Sequence, residues 1–267
     1  MWLTALNLDS APAALSWLSN PYHIHQKLWK AFSTATGKQP FLYFIDMQHG
    51  PRILVQSQEA GDWERVLGGQ RIFRSYATKE ILADRVICTG AKFRFSLLAN
   101  PTRTIKDYRT YFAENLKEFP ASYSRAERIE YAAGKGQLKD LVAGLTPEAK
   151  HTLRKSKSLR KKKVGIYDQA GQLAWISRQG EQYGFRLIAT AAEGSDATIL
   201  TNPGGLRQAF HRKGGHRIKF FTIQFQGVLE VSDSQRFLDG YRSGIGSGKA
   251  FGCGLLLISR FSGGDAV

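Results

Sequence analysis
The apolar residues of this chain change period repeatedly within the first hundred positions, between alternate sites and every third or fourth site, and no other feature restricts the fold as much. Trp2 to Leu8 alternates apolar and polar side chains, as a half-buried strand does. A helix is expected from Asn20-Pro21, because Asn is a good N-cap and Pro suits the first helical position. Phe41 to Met47 and Arg52 to Ser57 read as two strands across the turn-forming His49-Gly50-Pro51. Asp62 to Leu67 has room for a short helix before Gly68-Gly69, and Lys92 to Ala99 alternates again until Asn100-Pro101. The order β-α-β-β-(α)-β, with Lys92 to Ala99 as its last strand, is that of a ferredoxin-like or RRM-like unit. An α+β fold with antiparallel sheets is expected.

From Thr102 to Lys163 charge is dense, apolar residues recur at helical spacing, and Gly134, Gly136, Gly144 and Pro147 divide the run into two or three short helices. Its end, from Lys150 to Lys163, contains no acidic residue and carries Arg154, Lys155, Arg160 and Lys161. Such a run is either a solvated face or a contact for a phosphate backbone. Beyond Val164 a second pattern begins, with an amphipathic helix from Asp168 to Tyr183 that turns Leu173, Trp175 and Ile176 inward, then a strand from Phe185 to Thr190. Leu206 to Phe210 and Ile218 to Phe225 flank the basic tip 211–217, a hairpin with Gly214-Gly215 at its turn. A short helix from Ser234 to Arg242, capped by Ser232 or Ser234, a glycine-rich loop from Ser243 to Ala250, and a strand from Phe251 to Ser259 complete the chain. The expected division is 1–100, a linker with a basic helical insertion at 101–163, and 164–267. No sequence repeat supports a duplication, which rests on element order.

The first helix carries the residues that most resemble chemistry. At 100° per residue, Ile24, Leu28, Ala31, Phe32 and Ala35 share a buried arc, while Tyr22, Gln26, Trp29 and Ser33 lie opposite, with Lys30 and His25 at its margins. A histidine near an apolar face is often only packed there. With Tyr22, Lys30 and Ser33 around it, His25 is instead a candidate general acid or base, which is what cutting RNA by its own 2′-hydroxyl requires. His23 is the rival imidazole, but it lies about 160° around the helix, beside Lys27 and Lys30. Metal-assisted cutting wants clustered carboxylates, and Asp46, Glu59, Asp62 and Glu64 form no tight motif, so no metal or other cofactor is expected.

The charge balance names the class of partner. Thirty-eight Lys plus Arg stand against 22 Asp plus Glu, a formal charge of +16 and a pI near 9.9, and with 42% hydrophobic residues the chain has enough apolar content for a core. A polyanion is expected, nucleic acid before membrane, because no apolar run is long enough to span a bilayer. The stretch from Met1 to Asp9 lacks a basic region and is interrupted by Asp9, so it does not read as a signal peptide, and a cytoplasmic protein is expected. Cys88 and Cys253 lack Cys-x-x-Cys spacing and both read as buried thiols.

Two further stretches fit a polyanion. In Gly246-Ser247-Gly248-Lys249 the glycines would let backbone N–H groups approach a phosphate and Lys249 would add charge, although the loop lacks the spacing of a Walker A motif and precedes a strand. A plain turn is the ordinary alternative. Arg212, Lys213 and Arg217 at the hairpin tip either keep the ribbon soluble or pair with the phosphates of an RNA duplex.

Tyr22-His23-Ile24-His25-Gln26-Lys27-Leu28-Trp29, Phe95 to Pro101, Gln224-Phe225-Gln226-Gly227-Val228-Leu229 and, most specifically, Gly244 to Leu256 together resemble the CasE family of CRISPR repeat endoribonucleases, of the RAMP superfamily. The matches run in the same order along most of the chain. The resemblance implies two tandem ferredoxin-like domains, metal-independent cutting of repeat RNA at the base of its stem-loop, and retention of the product (crRNA) within the Cascade complex beside its other subunits. It implies His25 as the catalytic histidine, Tyr22 as its assistant, Lys30 and Ser33 near the site, and Arg212 and Lys213 against the RNA stem. The region 101–163 is longer than the family pattern. A non-catalytic module that binds structured RNA within a ribonucleoprotein is the alternative, and a general duplex binder is a third.

Overall fold
The computed structural model describes residues 1–9, 18–32, 39–47, 50–68, 72–107, 160–188, 199–210 and 217–261, with further positions at 12, 15, 144, 146–148 and 150–151. They fall into two compact units, one of Met1–Pro101 with Gly165–Val267 and one of Thr102–Val164. In the first unit β1 (Trp2–Leu8), α1 (Pro21–Leu28), β2 (Phe41–Asp46), β3 (Arg52–Ser57), α2 (Trp63–Leu67) and β4 (Phe73–Glu80) build a sheet of order β2-β3-β1-β4. All its pairings are antiparallel, with Leu6 opposite Ile53 on one side and Tyr76 on the other. This is the split β-α-β arrangement of a ferredoxin-like unit. Its core gathers Leu6, Ile24, Leu28, Phe41, Tyr43 and Ile53.

The strand that completes this sheet differs from the expectation. Phe73–Glu80 supplies β4, and all its side chains after Phe73 are exposed. An edge strand open on both faces has no apolar alternation to read. After α3 (Ala83–Val86), the expected last strand, β5 (Lys92–Ala99), lies in a second sheet between β11 (Leu256–Arg260) and β10 (Arg217–Val231). That sheet has the order β11-β5-β10-β8, with β8 at Phe185–Ile188, and β9 (Ile199–Phe210) pairs with β10 beside it. With α4 (Gln169–Tyr183) and α5 (Ser234–Ser243), the strands β5, β8, β10 and β11 repeat the element order of the first sheet and its helices. The fold is therefore α+β with two ferredoxin-like arrangements, the second of which begins at Lys92. Phe93, Phe95, Leu97, Trp175, Ile176 and Phe225 form much of its core.

Local chemistry sets the ends of the helices. Asp168 caps α4 by accepting from the Gly171 N–H at 2.7 Å, and Gly184 ends it at φ 68°, a left-handed conformation suited to glycine. Gln172 is more buried than the expected Leu173, because its amide donates to the Ile166 and Tyr167 carbonyls. Asp233, rather than Ser232 or Ser234, caps α5, accepting from the Arg236 N–H at 3.1 Å. The closing strand begins at Leu256 and not at Phe251, which lies in a 3-10 turn, Lys249–Phe251. Cys253 is buried as expected, whereas Cys88 is exposed because it lies in the turn closed by the Ala91 N–H on its carbonyl.

In the other unit β6 (Thr102–Asp107) and β7 (Arg160–Gly165) pair with each other, so both ends of the stretch expected to be helical are strands. Between them positions 144, 147–148 and 150–151 are helical, with the Lys150 N–H donating to the Thr146 carbonyl at 2.8 Å, so part of the expected helix is present, while 108–143 and 152–159 lie outside the described residues.

Candidate active site
Helix α1 begins where the sequence indicates. The Asn20 side chain accepts from the His23 N–H at 3.4 Å, and Pro21 occupies the first turn. Ile24, Leu28, Ala31 and Phe32 of the expected face are buried, and Ala35 lies outside the described residues. The α-helix stops at Leu28 and tightens into a 3-10 turn, Trp29–Ala31, so the angular positions beyond Leu28 depart from those of a continuous helix. Lys30 is exposed in that turn, and Ser33 lies outside the described residues.

His25 and His23 have different surroundings. His23 is exposed. His25 is half-buried among rings, with centroids at 6.3 Å from Tyr22, 6.2 Å from Trp29, 5.5 Å from Phe41 and 6.5 Å from Tyr43. Burial disfavours the imidazolium and pulls its pKa below the usual 6.5. Nε2 accepts a hydrogen bond from the Trp29 indole N–H at 3.0 Å. Tyr22 also faces Phe251, with ring centroids 6.1 Å apart. One half-buried imidazole, neutral near pH 7 and bordered by a phenol, is able to take a proton from a hydroxyl placed against it.

Tyr43 joins this helix to the glycine loop. Its buried hydroxyl lies 2.6 Å from the Pro21 carbonyl and 3.0 Å from the Ala250 carbonyl, so one phenol holds the start of α1 against the 3-10 turn of the loop. Gly246 and Gly248 have φ of 81° and 85°, and a Cβ on Gly246 would come within 3.0 Å of the Trp175 ring. The N–H groups of Ile245, Phe251, Gly252, Cys253 and Gly254 bond to carbonyls of the loop or of Leu98. Ser247 is engaged as well, pairing with Asn100 in an isolated antiparallel bridge while its hydroxyl donates to the Asn100 carbonyl at 3.4 Å. The Lys249 ammonium donates to the Ser243 carbonyl at 2.5 Å, and burial lowers its pKa.

The remaining expected residues are placed only by their backbone. Arg160 and Lys161 lie on β7, and Arg217 opens β10 opposite Phe210, where the hairpin ladder ends. Arg154, Lys155, Arg212 and Lys213 fall outside the described residues. Three of the acids weighed as metal ligands have structural partners: Asp46 pairs with Arg52, Asp62 caps α2, and Glu64 accepts from the Tyr76 hydroxyl. Among the described residues no three His, Cys, Asp or Glu side chains gather as a metal site.

Sequence reasoning missed Trp29, Phe41, Tyr43 and Phe251 as parts of the site. Trp29 was legible as the residue four beyond His25 on a helix. Phe41 and Tyr43 share a strand face by their spacing, but nothing local says which helix that face meets.

The family model described as CRISPR associated protein matches residues 1–260. The CRISPR-associated endoribonuclease Cse3 of Thermus thermophilus is 28% identical over 268 residues, covering 97% of this chain and 100% of the relative. The CRISPR system Cascade subunit CasE of Escherichia coli is 24% identical, covering 94% and 98%. A solved structure of Cse3 bound to a 19-nucleotide RNA superimposes with a TM-score of 0.64 at 25% identity, over 97% of this chain and 100% of that one. A Thermus thermophilus Cse3 complex with RNA representing the pre-cleavage state gives 0.62 at 25% identity, over 97% and 98%.

Proposed function
This chain belongs to the CRISPR associated protein family, in its CasE and Cse3 branch, and on that premise we propose how it cuts CRISPR repeat RNA. It is an RNA endoribonuclease of crRNA processing that works with the other Cascade subunits. The observation that carries the mechanism is the half-buried imidazole of His25, set among Tyr22, Trp29, Phe41 and Tyr43 on the helix that the glycine loop abuts.

In this reading His25 takes the proton of the 2′-hydroxyl beside the scissile phosphate. The 2′-oxygen attacks phosphorus, the bond to the 5′-oxygen breaks, and that oxygen leaves as it takes a proton from solvent water, while the proton held by His25 is returned to solvent. The products carry a 2′,3′-cyclic phosphate and a 5′-hydroxyl, and no metal is needed because the nucleophile belongs to the RNA. Tyr22, with Lys30 and Ser33 at the rim, positions the scissile phosphate. Gly246, Gly248 and Lys249 form a backbone contact, for which Lys249 must leave the Ser243 carbonyl. Arg212, Lys213 and Arg217 follow the stem, cut at its base. Arg154, Lys155, Arg160 and Lys161, in an insertion at 101–163, reach RNA or a neighbouring subunit. No helix among the described residues is long and apolar enough to cross a membrane, and a cytoplasmic setting fits a partner that is RNA.

A base and an acid predict opposite pH profiles. As a base, His25 is active when neutral, so the second-order single-turnover rate rises with pH through a midpoint below 6.5, because burial lowers the pKa in the free enzyme. Cleavage at limiting enzyme, measured from pH 4.5 to 8, should show this rise and lose it in His25→Ala. A rate that falls as pH rises through the same window would make His25 the acid.

A further inference from the structure
Trp29 is bound to His25 twice. Its backbone N–H reaches the His25 carbonyl at the end of α1, and its indole N–H donates to His25 Nε2 at 3.0 Å. The indole ring is held by an edge-on contact with Phe41, centroids 5.9 Å apart, and stands at 89° to the imidazole. Indole nitrogen can only donate, so the nitrogen it meets must carry a lone pair. The proton of the neutral ring then resides on Nδ1, which is buried and has no hydrogen-bond partner among the described residues. A protonated imidazole would oppose one N–H with another. The lone pair engaged by the indole is also the one a base needs: a ribose 2′-hydroxyl must present its hydrogen to Nε2 from the direction the indole now occupies.

We infer that Trp29 is a positioning residue that fixes His25 as the Nδ1–H tautomer with a basic Nε2, and that it yields this lone pair to the 2′-hydroxyl when RNA binds. This deepens the cleavage reading above and rests on it. The titratable neighbours do not supply the same effect. Tyr22 on the same helix and Tyr43 on β2 face the imidazole with their rings, and the Tyr43 hydroxyl is directed to the Pro21 and Ala250 carbonyls. On α1 itself His23 is exposed and Lys27 lies two residues along, and Lys30 is exposed in the turn beyond it. Lys249, on the 3-10 turn packed against α1, spends its ammonium on Ser243, and β9 has no ionisable residue before Arg207. Burial lowers the pKa of His25, and the indole donor acts in the same direction.

The test is nitrogen-15 NMR of the histidine rings in the free protein, which needs no RNA. In the native protein above pH 7, His25 is expected to show a protonated Nδ1 and an unprotonated Nε2, with a titration midpoint below 6.5. Trp29→Phe keeps a ring against Phe41 and removes the N–H, so both tautomers should be populated and the midpoint should rise. Trp29→Gln returns a donor and should restore the single tautomer in part. In cleavage assays each pH unit of upward shift should cost Trp29→Phe about tenfold in rate on the acid side of the midpoint. A native His25 protonated on Nε2, or a Trp29→Phe protein with native tautomer and midpoint, would overturn the inference. Failure of His25→Ala to stop cleavage would overturn the cleavage reading instead, and would leave the NMR result as it stands.

Discussion

Replacing His25 with alanine is expected to lower single-turnover cleavage of a repeat hairpin by about 10²–10⁴-fold, the range that general acid–base catalysis supplies. The expectation follows from what the side chain is and where it lies. It is an imidazole among four aromatic rings, on a helix whose buried face is supplied by Ile24 and Leu28 instead. Removing a half-exposed ring leaves that face intact, so the protein should fold. RNA affinity should stay near the native value, because phosphate contacts dominate binding to a basic protein and those proposed here belong to other residues, which the substitution leaves in place. The pair of measurements is a gel assay for cleavage with enzyme in excess and a filter assay for binding at the same salt concentration. Cleavage that continues at the native rate would return His25 to a packing role and favour the non-catalytic RNA-binding alternative.

The second large effect concerns stability. Phe225→Ala is expected to cost about 3–5 kcal/mol, the range for removing a large buried ring. Phe225 is fully buried, stacks on Trp175 with centroids 5.7 Å apart and planes at 20°, and lies on β10 between Leu97 of β5 and Thr201 of β9. Three elements would face the cavity, and the ladders on both sides of β10 limit its collapse. Against a typical total of roughly 5–15 kcal/mol, such a loss removes much of the margin. Urea denaturation followed by tryptophan fluorescence should show a midpoint far below the native one. A cost under about 1 kcal/mol would mean that the second core repacks around the missing ring.

Period carried the sequence reading where one face of an element is buried, and failed where that condition does not hold. β1 and β5 are legible because apolar residues alternate along them, and β2 and β3 because each is rich in apolar residues and the two flank a turn-forming cluster. β4 is exposed almost throughout and carries no such mark. Alternation also tells which face is buried but not which strand lies alongside, so β5 was read into the first sheet although its partners are β10 and β11, more than 100 residues later. The start of β9 reads as a loop because it contains Pro203-Gly204-Gly205. There the register shifts between Thr222 and Ile223, and among the described residues β9 pairs only with β10, so proline is tolerated on an edge.

The site divides in the same way. Asn20, Pro21, Tyr22 and His25 are set by local rules, the N-cap and the helical repeat, and the sequence placed them on α1. The rings that close around His25 from β2 depend on tertiary packing, as does the Tyr43 link to Ala250, 207 residues away. The end of α1 was read too late, because the 3-10 turn at Trp29–Ala31 keeps the helical spacing closely enough to hide the change.

The most direct measurement is the chemistry of the cut ends when native protein meets repeat RNA in excess EDTA. Full cleavage, with a 2′,3′-cyclic phosphate on the upstream product and a 5′-hydroxyl on the downstream one, is the expected result. RNA that stays intact until Mg²⁺ is restored, and is then cut to leave a 5′-phosphate, would contradict attack by the 2′-hydroxyl with His25 as its base.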